Sequence, residues 1–378
     1  MTAPPATELR PYRVDIPQAD LDDLAARLGR TRFPDELSDV GWSHGVPLGY
    51  VRELVDHWSN DYDWRAHEAR INEHPQFVAT IDGERVHFLH VRSPEPDALP
   101  LIATHGWPMS VVEYLDLIGP LTNPHAHGGN AADAFHLVIP SLPGVGFSGP
   151  TRQPAWDCRR IARAWVELMG RLGYERYGAH GNDAGSQVSP EVGRYDPDRV
   201  VGVHVTQLFS FPSGDPAEFA DMSEEDMLAM KFLEEFTSGG GLAYNAYQSA
   251  QPQTLAYALQ DSPAGWLAWV TQLFQRWPDP DYIITNAAIY WLTGTIGSSI
   301  RRYYADAHAV ANPPTEPTGT PTGVAIFAED FQSVRKFADR DHANIVSWNH
   351  YDRGSHFSPH DAPDLLIADI REFFRPLR

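Results

Sequence analysis

The chain has 378 residues, enough for one large domain with an insertion or for two smaller ones, and its composition is that of a soluble globular protein. A formal net charge of −21 with no long basic run argues against nucleic acid as a partner, because phosphate binding needs clustered Lys and Arg. The single cysteine, Cys158, excludes an intramolecular disulfide framework and fits a reducing compartment.

The opening MTAPPATELRPYRVDI lacks the charged-then-apolar profile of a signal peptide. No apolar run approaches the ~20 residues that span a bilayer, so a cytoplasmic protein without a membrane anchor is expected. Ile16–Phe33 places Leu21, Leu24 and Leu28 at helical spacing, and Val46–Trp64 repeats that signature. These segments read as two helices with a Pro- and Trp-rich wrap around them. Phe77–Val91 then gives two β-rich runs joined by Asp82-Gly83, a hairpin signal.

From there strands and helices alternate. Leu101–Trp107, Phe135–Gly144, Glu175–Asp183, Arg199–Leu208, Thr322–Asp330 and Asn344–Tyr351 read as strands, with a helical segment at Arg159–Leu172. This rhythm predicts an α/β fold with a mainly parallel sheet covered on both faces. Between Phe209 and about Pro321 the strand rhythm stops, and aromatic-rich helical patterns such as Ser262–Trp277 indicate an insertion between two core strands.

In open α/β sheets ligands bind beyond the carboxyl ends of the strands. Asp183, Asp330 and His356 all fall there, in the nucleophile–acid–histidine order of the α/β-hydrolases. Asp183 sits in HGNDAGS, a Gly-x-Asp-x-Gly pattern with an aspartate where serine hydrolases carry their nucleophile. HGWP, His105–Pro108, follows an apolar run at the place where that fold draws one oxyanion-hole N–H, here from Trp107. The other would come from Ala184. His356 lies in RGSHFSP, a glycine-containing loop after the last strand. FAEDF offers Glu329 and Asp330, and strand alternation would point them to opposite sides, so either could orient His356.

Two other stretches carry less. His125 and His127 form an H-x-H pair in a polar loop without surrounding acidic ligands, so a metal site is not expected. SLPGVGFSG, Ser141–Gly149, lacks G-x-G-x-x-G spacing and reads as a tight turn after a strand. No cofactor is implied by any motif.

The aspartate has a chemical rationale. A serine attacking a saturated carbon would form an ether, which activated water does not readily cleave. A carboxylate forms an ester, whose carbonyl a histidine-activated water can attack. An Asp-Asp-His set therefore points to displacement at sp³ carbon, with epoxides and alkyl halides as electrophiles. An epoxide oxygen needs a proton from an acid such as tyrosine, and the insertion offers Tyr244 and Tyr303.

These motifs together resemble the epoxide hydrolases of the α/β-hydrolase superfamily, microsomal-type branch. The likeness extends through YDWRAHEARINEHPQF (62–77), IDGERVHFLHVRS (81–93), HGWP, PSLPGVGFSG, QPQTLAYALQDSPAGWLAW (251–269), YWLTGTIGSSIRRYY (290–304) and RGSHF. It implies an α/β-hydrolase fold with an N-terminal wrapping domain over 1–93, a core over 94–208 and 322–378, and a helical cap over 209–321. It implies Asp183 as nucleophile, His356 as the water-activating base, and Asp330 as its orienting acid within an F-P-x-acid pattern that here reads Phe327-Ala328-Glu329-Asp330. It implies Tyr244 and Tyr303 as the cap tyrosines, with Tyr247 and Tyr304 as their neighbours and alternatives.

The partners implied are a small hydrophobic epoxide and water, and a homo-oligomer is compatible with the sequence. The branch commonly has Gly-Gly-Asp-Trp-Gly, whereas this chain has Gly181-Asn182-Asp183-Ala184-Gly185. Losing that Trp also weakens the competing haloalkane dehalogenase reading, because those enzymes hold halide with it. Ser355 and Ala328 replace a frequent Gly and Pro. A retired hydrolase kept as a binding protein is the reading from another class, but all five catalytic positions carry suitable residues.

Overall fold

The computed structural model describes residues 9–274, 279–309 and 316–378. Residues 1–8 of the opening segment, residues 275–278, which include the end of the Ser262–Trp277 segment, and residues 310–315 of the insertion lie outside the described residues.

The strands are β1 (Arg10–Tyr12), β2 (Gln76–Ile81), β3 (Glu84–Val91), β4 (Leu99–Thr104), β5 (Phe135–Pro140), β6 (Tyr177–Gly181), β7 (Val200–Val205), β8 (Thr322–Ile326) and β9 (Ile345–His350). They form one sheet in the order β1-β2-β3-β5-β4-β6-β7-β8-β9. The β1–β2, β2–β3 and β3–β5 pairs are antiparallel, and the rest are parallel. This is the mainly parallel sheet expected from the alternating pattern. The β2–β3 hairpin closes on Asp82 and Gly83, at φ 48° and 78°, as a two-residue turn requires.

Helices α1 (Gln18–Leu28), α2 (Leu48–Asn60) and α3 (Trp64–Ile71) precede the hairpin. Neither β1 nor α3 was anticipated as an element of its own. β1 has three residues with proline at its centre, too few for alternation to register. In α3 the buried Glu68 replaces an apolar residue, and its carboxylate accepts from Ile16 N at 2.7 Å and Trp64 Nε1 at 3.2 Å.

The central strands read as continuous apolar runs because helices cover both faces. Helices α4 (Leu115–Thr122), α5 (Cys158–Arg171) and α6 (Ala184–Tyr195) occur between the strands. In β6, a Cβ on Gly178 would meet the Phe374 ring, whereas one on Gly181 would meet α6. Positions three apart in a strand face opposite ways, so α6 and the C-terminal helix cover opposite faces. The order of connections reverses at β4, which lies between β5 and β6, and Thr104 pairs with Gly181 there. That switch point is the crevice where an open sheet receives ligands.

Between β7 and β8 lie α7 (Glu224–Ser238), α8 (Ala243–Ala250), α9 (Pro252–Asp261), α10 (Pro263–Phe274), α11 (Pro280–Leu292) and α12 (Ile296–Ala307). After β8 come α13 (Arg335–Asp341), α14 (Ser358–Asp361) and α15 (Pro363–Phe374). The N-terminal segment meets the insertion through His57 Nε2 and Asp281 Oδ1 at 2.7 Å and through Tyr62 Oη donating to Thr285 Oγ1 at 3.2 Å. No helix among the described residues is long and apolar enough to cross a membrane.

Candidate active site

Asp183 occupies the turn between β6 and α6 at φ 53°, ψ −113°, a conformation that costs a non-glycine residue on the order of 1–3 kcal/mol. The flanking glycines make that turn possible. A Cβ on Gly181 would lie 2.1 Å from the Gly185 carbonyl oxygen, and one on Gly185 would lie 1.9 Å from the Thr104 carbonyl oxygen. A Cβ on Gly106 would lie 2.3 Å from Asp183 Cβ, which explains the glycine of HGWP.

The neighbouring backbone donates to the carboxylate: Trp107 N–H reaches Asp183 Oδ1 at 2.9 Å. Asp183 Oδ2 lies 3.5 Å from His356 Nε2, and His356 Nδ1 lies 2.7 Å from Asp330 Oδ1. Asp330 is buried and also accepts the Phe331 N–H at 2.6 Å, while Glu329 is exposed. The Glu329 N–H donates to Gly354 O at 2.9 Å, fastening the end of β8 to the loop that carries His356. Ala184 is the first residue of α6, so its N–H has no acceptor within the helix.

Burial alone would depress the His356 pKa, but the Asp330 and Asp183 carboxylates outweigh it and hold it well above 6.5. Burial pushes Asp183 up, and its hydrogen bond to His356, the charges of His356 and Arg302, and the Trp107 N–H together bring it below 3.8. The two groups thus form an ion pair at neutral pH.

Tyr244 of α8 stacks on the Trp107 ring at 5.7 Å and 14°, and Tyr303 of α12 meets the same ring edge-on at 5.4 Å. The two phenol rings lie 5.9 Å apart. Burial raises the pKa of each above 10, and the Asp183 charge adds to it, so both remain protonated donors. Tyr247 and Tyr304 are each 44% exposed, and Tyr304 stacks on His308, so neither alternative joins the site.

Three residues here were not singled out from the sequence. Gln207, just past β7, donates from Nε2 to Asp330 Oδ2, while its Oε1 accepts the Asp183 N–H at 2.9 Å and the Ser186 hydroxyl at 3.0 Å. Asn182 donates from Nδ2 to Glu113 and to His356 O at 3.1 Å, and its Oδ1 accepts from Gln207 at 3.2 Å. Glu113 is fully buried, which pushes its carboxyl up to about 8 against the opposing His356 charge and the Asn182 bond. Two amides at strand ends and a carboxyl within the apolar 109–118 run were the available signal.

The remaining motifs have structural places. His105 is buried between HGWP and SLPGVGFSG, where its Nε2 accepts the Leu142 N–H at 3.2 Å, and burial pushes its pKa down to about 4. SLPGVGFSG turns through Gly144, Gly146 and Gly149, all at positive φ. His125 and His127 are exposed, and among the described residues no group of His, Cys, Asp and Glu could hold a metal ion.

Residues 9–114 match the model of the epoxide hydrolase N terminus family. A Stigmatella aurantiaca protein provisionally assigned as an epoxide hydrolase is 41% identical over 98% of this chain and 86% of its own length. Epoxide hydrolase 1 of Sus scrofa is 30% identical over 97% of this chain and 88% of its own. The structure of an enantioselective mutant of Aspergillus niger epoxide hydrolase superposes with a TM-score of 0.87 at 27% identity, covering 98% of each chain. Identity at this level along nearly the whole sequence, joined to the shared sheet, shows that the chain belongs to the epoxide hydrolase family of the α/β-hydrolase fold.

Proposed function

We propose that this epoxide hydrolase works through a covalent ester on Asp183. The observation that carries the reading is the Asp183 carboxylate itself, with one oxygen on the Trp107 N–H and the other facing His356. Asp183 Oδ2 attacks an epoxide carbon, the C–O bond breaks, and Tyr244 and Tyr303 deliver a proton to the leaving oxygen. The phenolate left behind recovers its proton from the His356 imidazolium through solvent. Esterification removes the Asp183 charge that helped hold that proton, so the histidine becomes a neutral base.

His356, oriented by Asp330, then takes a proton from water as the hydroxide adds to the ester carbonyl. The Trp107 and Ala184 N–H groups hold the resulting oxyanion. Collapse releases a vicinal diol and restores the Asp183–His356 ion pair, so epoxide plus water balances diol. The surrounding Trp107, Tyr244, Tyr303 and Trp266 rings favour a hydrophobic epoxide, including aryl ones. The same reading makes residues 1–93 the wrapping domain, 94–208 and 322–378 the core, and 209–321 the cap.

Single turnover of a styrene-oxide-like epoxide in ¹⁸O-water tests the scheme. The first diol should carry unlabelled oxygen from Asp183, with label entering that carboxylate. Label in the first-turnover diol would refute the covalent route.

A further inference from the structure

Helix α12 presents two different faces. Ser299 and Tyr303 turn toward Trp107: Trp107 Nε1 donates to Ser299 Oγ at 3.2 Å, and the Tyr303 ring packs on the indole. Arg301 and Ala305 are offset from that pair by about 200° around a helix of 3.6 residues per turn. They line a separate cleft of about 780 Å³, bounded across from α12 by the 151–157 loop and by the start of α9. Neither Asp183, His356, Tyr244 nor Trp107 borders it. A volume near 780 Å³ lies within the range of small-molecule sites.

The walls are mainly apolar, with Pro143, Pro154, Trp156 and Pro252 among them, and Arg301 is set into them. Arg301 is half-buried, burial lowers its pKa, and among the described residues it has no salt-bridge partner. Its Nη2 donates to Thr151 O at 3.3 Å. Beside it, Arg302 is engaged by Asp306 at 2.6 Å, and among the described residues neither Arg302 Nε nor the buried Trp156 Nε1 has an acceptor. Asp157 is the carboxylate in the lining, and it is occupied in capping α5 through the Arg160 N–H at 2.8 Å. A half-buried guanidinium without a salt-bridge partner among the described residues leaves its fork open to an anion, and a carboxylate fits that fork in bidentate fashion.

We propose that this cleft is a second ligand site, distinct from the site around Asp183, that takes a free monocarboxylic acid with an apolar body, its carboxylate on Arg301. The apolar body lies along Trp156 and the prolines. A neutral ligand of the same shape lacks the charge-assisted pair with Arg301.

The test uses the full chain, decanoate as the probe and decan-1-ol as its neutral counterpart, with calorimetry and steady-state kinetics. Decanoate should bind at least about tenfold more tightly than decan-1-ol, and Arg301→Met should weaken it by about tenfold or more, with Arg301→Lys between. Ala305→Trp, which fills the cleft, should abolish binding. Arg301→Met should hydrolyse neutral styrene oxide at the wild-type rate, confirming that it is folded. Decanoate should not raise the KM for styrene oxide. Equal binding by wild type and Arg301→Met, competition with styrene oxide, or no binding at millimolar decanoate would each overturn the proposal.

Discussion

Gln207 joins Asp330 to the backbone of Asp183: one end of its amide donates to the Asp330 carboxylate and the other accepts the Asp183 N–H at 2.9 Å. The Asp330 carboxylate that bonds His356 and the turn that carries Asp183 are therefore held by one planar group. Rotation of either would break a bond to that amide, so the Asp183–His356–Asp330 geometry is fixed from below the site.

Replacing Gln207 with Leu nearly keeps the volume and removes these two bonds together with those to Ser186 and Asn182. kcat should fall about 10- to 100-fold, the range for hydrogen bonds to a charged group. Rapid-quench mass spectrometry should show the alkyl-enzyme accumulating, because a misaligned Asp330 impairs His356 more than it impairs attack. Wild-type kcat would contradict this role.

Asp330→Asn should slow ester hydrolysis on the order of a thousandfold or more, as when a histidine loses its orienting carboxylate. Burial would then outweigh the remaining Asp183 charge more nearly, so the His356 pKa falls. The acidic limb of kcat, where His356 loses its role as base on protonation in the ester intermediate, should move to lower pH in the variant. A limb that stays in place would separate His356 from the titration.

Tyr303→Phe and Tyr244→Phe should each reduce the rate of ester formation by about 100-fold, the usual share of a positioned acid. Decay of ester already formed should be unchanged, as stopped-flow protein fluorescence can follow. Loss confined to the hydrolytic step would reverse their assignment.

Glu113 gives stability a defined pH dependence. Its carboxyl is raised from 4.5 to about 8 in the fold, so the folded protein binds the proton more tightly than the unfolded chain. That contribution is complete below about 4.5 and is lost as pH rises through 8. Glu113→Gln should therefore be less stable relative to wild type at pH 5 than at pH 9, with Tm curves converging or crossing between. Parallel curves over that interval would show that Glu113 does not titrate there.

Gly185→Ala places a methyl group 1.9 Å from the Thr104 carbonyl oxygen, which belongs to β4 and cannot withdraw cheaply. The cost should be about 3 kcal/mol or more, read from urea unfolding. A variant with wild-type stability would mean that α6 can shift on the sheet.

The sequence by itself determined the alternating strands, the hairpin at Asp82-Gly83 and the positions of Trp107, Asp183 and His356. Each of these depends on short-range rules: apolar period, turn chemistry, and a glycine-flanked residue following a strand. The choice between Glu329 and Asp330 was already at that limit, and required a resemblance before the fold placed one buried and the other exposed. Only the tertiary structure decided the bond from Gln207 to Asp330 across 123 residues, the buried carboxyl of Glu113 bonded by Asn182, and the place of Arg301 in a cleft apart from Asp183. A polar side chain has no periodicity that names its partner. What it bonds is fixed when packing excludes water and leaves it one donor or acceptor within reach, and that selection exists only in the folded chain.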